Sequence, residues 1–68
     1  MFVEVMDVSS VTTVVNTDAI ALVQLSYSYD AESQESVFDK AIITMKNSLV
    51  IYLDETNWGI LRNNIIPQ

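Results

Sequence analysis

A chain of 68 residues with nine carboxylates, three cations and neither His nor Cys makes one small domain. It has no Ser-His or Cys-His nucleophile pair, no imidazole or thiolate zinc site and no disulfide framework, and a single Gly excludes phosphate-cradling glycine loops. The net charge of −6 argues against nucleic-acid duplexes and anionic membranes, which need a basic field, and it suits a basic patch on another protein.

No apolar run approaches the roughly 18 residues that span a bilayer, and the chain opens without a basic leader region, so a cytoplasmic location is expected. Half of the residues are hydrophobic. A domain this short, without staples, gains its stability from dense apolar content or from association with copies of itself.

Five β-like runs follow one another. Residues 2–7 alternate, with Val3 and Val5 on one face and Phe2, Glu4 and Met6 on the other. After a turn at 7–10, the Val- and Thr-rich run 11–15 is stopped by Asn16, Thr17 and Asp18. Run 20–29 places Ala21, Val23, Leu25, Tyr27 and Tyr29 on one face. Segment 30–36 is polar and acidic, which predicts a mobile loop. Runs 38–46 and 49–54 read as a hairpin joined at 46–48, where Asn47 is a tolerated left-handed residue.

The period then changes. Trp58, Leu61 and Ile65 stand at i, i+3 and i+7, so a short helix opens at Asp54 or Thr56 and is ended by Pro67. Gly59 inside it costs up to about 1 kcal/mol relative to Ala and suggests close packing against a strand or an irregular turn.

These elements predict a mainly β fold: a small five-stranded antiparallel, SH3-like barrel or bent sheet with a short C-terminal helix. Runs 38–46 and 49–54 are apolar on both faces, Ile42 against Ile43 and Met45, Val50 and Tyr52 against Ile51 and Leu53. The second face must be covered by the helix, by another subunit, or by both.

The order MFVEVMD, a short Val/Thr strand, NTDAIALVQ and then AIITMKNSLVIYLDET with an amphipathic tail resembles the small FlbD-type flagellar proteins and the phage and bacterial small β-barrel proteins of like layout. The resemblance covers most of the chain. It implies the fold above and a non-enzymatic, regulatory character.

Carboxylates are the hard-ligand and acid/base groups available, Asp30, Glu32 and Glu35 in the polar segment and Asp54 and Glu55 at the helix start. They lack EF-hand spacing and read as solvated and capping charge, so no metal or cofactor is expected. Tyr27 and Tyr29, with Phe38 across the loop, either pack the core and anchor the loop or supply an aromatic platform, and Trp58 is either a helix anchor or a binding hot spot. Lys40 and Lys46 project from one face of run 38–46 and in a monomer read as solubilising or edge-protecting charges; with Arg62 they are sparse, but an oligomer repeats them around its axis.

Together these residues point to a homo-oligomeric binding module rather than an enzyme. One form holds a small anionic, nucleotide-like ligand through Arg62, Lys46, Lys40, Tyr27, Tyr29, Trp58, Asn63 and Asn64, since Arg offers a planar fork for phosphate and aromatics stack bases. The resemblance to small phage proteins that sequester nucleotide signals implies the same class of ligand. A second form is an acidic inhibitor or adaptor that binds a basic protein surface, and a third is a purely structural subunit.

Overall fold

The computed structural model describes residues 1–66. It is mainly β, with strands β1 (Phe2–Met6), β2 (Thr12–Asn16), β3 (Ile20–Asp30), β4 (Glu35–Met45) and β5 (Val50–Leu53), a short 3-10 turn at Thr17–Ala19, and helix α1 (Glu55–Ile65). Antiparallel ladders give two sheets, β1-β2 and β3-β4-β5. Among the described residues no ladder joins the two sheets into a closed barrel. A backbone bond from Val8 N–H to the Tyr52 carbonyl, 3.0 Å, ties them at one point.

The turns follow from side chains that act on their own backbone. The Asp7 carboxylate accepts from Ser9 and Val11 N–H at 2.8 and 3.0 Å and closes the β1-β2 turn. In the β4-β5 hairpin the positive φ falls on Ser48, at 72°, and not on Asn47 as the sequence suggested. Asn47 instead uses its side-chain oxygen to accept from Leu49 N–H at 3.0 Å, which leaves the third residue of a three-residue loop to take the left-handed conformation.

The expected polar loop is shorter than 30–36. Tyr29 pairs with Ser36 and Asp30 with Glu35, so the connection is residues 31–34. Asp30 holds it, its side chain accepting from Glu32 N–H at 3.0 Å and its carbonyl from Gln34 N–H at 2.8 Å. β5 pairs only with residues 41–44 of β4. The far half of the β3-β4 hairpin therefore projects as a two-stranded arm, in a molecule 40 × 28 × 19 Å in extent.

The core holds Val3, Val5, Val15, Ala41, Ile43, Met45, Ile51, Leu53, Trp58 and Leu61, all buried. α1 covers it, packing on β1, β4 and β5 through Trp58 and Leu61, with Ile65 half-buried alongside. Asp54 caps the helix, accepting from Asn57 N–H at 2.8 Å. Asn57 in turn accepts the Met6 N–H at 2.9 Å and so fastens the helix start to β1. The helix ends at Ile65, with Ile66 as its C-cap; Pro67, expected to stop it, lies outside the described residues. No helix among the described residues is long and apolar enough to cross a membrane.

The helix covers only one side of the three-stranded sheet. The other side, carrying Leu22, Ile42, Val50 and Tyr52, has no layer over it among the described residues, and Leu22, Val50 and Tyr52 are exposed.

Candidate functional site

Two register shifts in the β3-β4 ladder decide which side chains meet. Ser26 pairs with Lys40 and Tyr27 with Phe38, so Asp39 is an extra residue in β4. Such a bulge changes the face on which the preceding residues lie. Phe38 therefore joins Ala41 and Ile43 on the helix side although strict alternation would send it to the other face. There its ring meets Tyr27 edge to face, with centroids 5.8 Å apart and planes at 85°. At the other end of β3 the shift between Ile20 and Leu22 makes Ala21 the extra residue and brings Ile20 opposite Met45 against the core.

Between the base of this arm and α1 lies an open groove of about 450 Å³ lined by Leu25, Tyr27, Phe38, Glu55, Trp58, Gly59 and Arg62. Trp58 is buried and forms the floor, whereas Tyr27 is 58 % exposed and forms a wall. The helix supplies one charge near each end. Glu55 and Arg62 are seven residues apart, about 10 Å along the axis, and the two cancel within a chain whose net charge is −6. Gly59 stands between them. A Cβ built on it meets no atom within 4 Å, so close packing against a strand does not account for this glycine; it leaves the groove wall open.

The expected ligand-binding residues separate into those that converge and those that do not. Tyr27, Trp58 and Arg62 share the groove. Tyr29 lies farther out on the arm and is 68 % exposed. Lys40 sits on the opposite face of the sheet, its ammonium 5.6 Å from the Tyr52 ring centroid and 3.7 Å from the Asp39 carboxylate. Lys46 lies in the β4-β5 turn, at the far end of β4 from Phe38, with its N–H donating to the Ala19 carbonyl at 2.7 Å. Asn63 and Asn64 are exposed on α1 and do not line the groove; Asn64 donates its side-chain amide to the Ile60 carbonyl at 2.8 Å. Leu25, Phe38, Glu55 and Gly59 complete the lining. Of these, Phe38 was expected as an aromatic across the loop, Leu25 shared the face of Tyr27, Glu55 read as capping charge and Gly59 as a packing or turn residue, and none of the four was expected as a ligand-binding residue.

A second hollow, about 330 Å³, lies beside β5 and is lined by Asp7, Val8, Ser9, Thr13, Leu49, Val50, Ile51 and Tyr52. Its one charged side chain, Asp7, is occupied with the turn. No group of three or more carboxylates among the described residues is arranged to hold a metal. Asp54 is the group with a displaced titration: hydrogen bonds from the Asn57 backbone, the Asn57 side chain and the Thr56 backbone hold its carboxyl below the ordinary value, against a smaller opposing effect of burial. Its chemistry is that of a helix cap.

Compared with protein-family models, curated proteins and solved structures, the chain matches none.

Proposed function

We propose that this chain is a non-enzymatic, homo-oligomeric binding module whose groove holds a small ligand with a planar ring and an anionic group, nucleotide-like in chemistry. The observation that carries the reading is that Arg62 lines one groove with Tyr27, Phe38 and Trp58. Arg offers a planar bidentate fork to phosphate, and aromatic walls stack a base. Glu55 at the other end supplies an acceptor for an amino group. The excess negative charge of the chain slows long-range capture of an anion but is screened beyond roughly 10 Å, so binding rests on contacts inside the groove.

The regulatory character implied by the resemblance to FlbD-type and phage small β proteins fits such a module. A closed SH3-like barrel is not required, because the groove is built from the arm and the helix alone. A second reading, an adaptor for a basic protein surface, is favoured by the arm tip, where Asp30 and Glu35 form the last pair of the ladder, Glu32 lies in the turn and Tyr29, one residue before Asp30, is exposed.

Calorimetric titration with a panel of cyclic and linear nucleotides tests the proposal. Heat with at least one of them, abolished by Arg62→Ala, is expected. No heat with any, or equal binding by Arg62→Ala, overturns it and leaves the adaptor reading.

A further inference from the structure

We infer that the free edge of β3 is a docking edge for β3 of a second copy, paired antiparallel about a two-fold axis at Ser26, so that the two three-stranded sheets become one of six strands. The inference rests on the homo-oligomeric part of the proposal above and names its interface.

β3 ends its sheet, with β4 on one side and, among the described residues, no strand on the other. At 11 residues it shares the greatest strand length with β4. Long, flat, apolar edges are pairing sites unless Lys, Pro, a bulge or a covering segment blunts them. β3 contains no Lys, Pro or Gly; its own extra residue, Ala21, lies near its start, and the second register shift of the ladder, between Ser26 and Tyr27, arises from Asp39 of β4. The other edges are short or capped: β1, β2 and β5 have five, five and four residues, Val8 N–H bonds the Tyr52 carbonyl of β5, and the Asn57 side chain takes the Met6 N–H of β1.

Charge and pattern select a copy of the same chain as the occupant. Two molecules that each carry −6 repel wherever their carboxylates meet, but residues 20–29 hold none of the nine, and the carboxylate beside Ser26, that of Asp39 on β4, which accepts from the Ser26 hydroxyl at 3.5 Å, is paired with the Lys40 ammonium at 3.7 Å. Asp30 is the single charge of the strand. From Leu22 to Asp30 β3 itself carries no extra residue, and the midpoint of that stretch is Ser26. Antiparallel pairing about that point sets Leu25 opposite Tyr27 of the second copy and Val23 opposite Tyr29, and on the other face Gln24 opposite Ser28. Aromatic against aliphatic is a favourable cross-strand pair, and the two Asp30 side chains stay at opposite ends. Leu25 and Tyr27 also line the groove, so each groove opens beside the strand of the other copy.

Native mass and directed cross-linking of the full chain test this. The protein has no Cys, so a single introduced thiol can bridge only between copies. Facing residues at a two-fold axis have Cα atoms about 4.5–5.5 Å apart, within the range a disulfide spans. The expected results are a native mass of two protomers at tens of micromolar, ready disulfide formation by Ser26→Cys, and little by Ile42→Cys on the open sheet face. Gln24→Lys with Ser28→Lys sets like charges opposite each other and halves the mass while the circular dichroism spectrum is retained. A folded wild type at one protomer mass overturns the inference, as does a dimer that Ile42→Cys bridges and Ser26→Cys does not, or one that the double Lys variant leaves intact. None of these readouts depends on a nucleotide, so failure here leaves the groove proposal to its own titration.

Discussion

Phe38 meets Tyr27 edge to face, 5.8 Å between centroids, because Asp39 is left over in the ladder between them. The pair joins the arm to the helix side of the sheet, and each ring is a wall of the groove. An edge-to-face pair contributes about 0.5–1.5 kcal/mol beyond burial. Phe38 is half-buried, so Phe38→Ala is expected to cost about 1–3 kcal/mol in urea unfolding, below the full cost of a core aromatic. Tyr27→Ala, at an exposed position, should cost less. Equal losses would mean that the pair does not anchor the arm.

Gly59 separates stability from binding. A helix-interior Gly costs up to about 1 kcal/mol relative to Ala, and a Cβ there meets nothing within 4 Å. Gly59→Ala is therefore expected to raise stability by about 0.5–1 kcal/mol while weakening any ligand that fills the groove. Thermal melting reads the first effect and titration the second. A destabilised variant would contradict the open space at this position.

Asp54 predicts a pH dependence. Its carboxyl titrates below the ordinary value of 3.8 in the folded chain, so the unfolded state binds its proton more readily. The stabilisation is complete above the unfolded pKa and is lost as pH falls through the lower folded pKa. Asp54→Asn keeps a capping oxygen and removes the charge. It should be less stable than wild type at pH 7, with the gap closing as the acid limit is approached. A gap that stays constant from pH 7 to about pH 2 would show that the charge contributes nothing.

Ser48 has φ 72°, a conformation that costs a non-Gly residue about 1 kcal/mol. Ser48→Gly is expected to raise stability by about 0.5–1 kcal/mol in denaturant unfolding, since Gly removes the strain at some cost in unfolded-state entropy. No gain would mean that Asn47 alone sets the hairpin.

The strands and the helix were legible because their signals are local. Val3 and Val5 alternate with exposed neighbours as the pattern of β1 required, and Asp54, Trp58, Leu61 and Ile65 marked a cap and one helix face. Register was not legible. The bulges at Ala21 and Asp39 depend on pairing across the ladder, and no residue type at either position announces them. That is why Phe38 changes face and joins Tyr27 in the groove, while Lys40 falls on the opposite face and Lys46 in the β4-β5 turn at the far end. The arm was hidden for another reason: segment 30–36 lacks apolar residues other than Ala31, and its pairing rests on backbone bonds that composition does not reveal.

The most direct measurement uses Trp58, the one tryptophan in the chain and the floor of the groove. Its emission is followed while cyclic and linear nucleotides are added to wild type and to Arg62→Ala. A saturable change with at least one nucleotide is expected, with an affinity at least about tenfold weaker, or about 1.4 kcal/mol, in the variant. Emission that stays flat to millimolar nucleotide, or that changes identically in the two proteins, would contradict it.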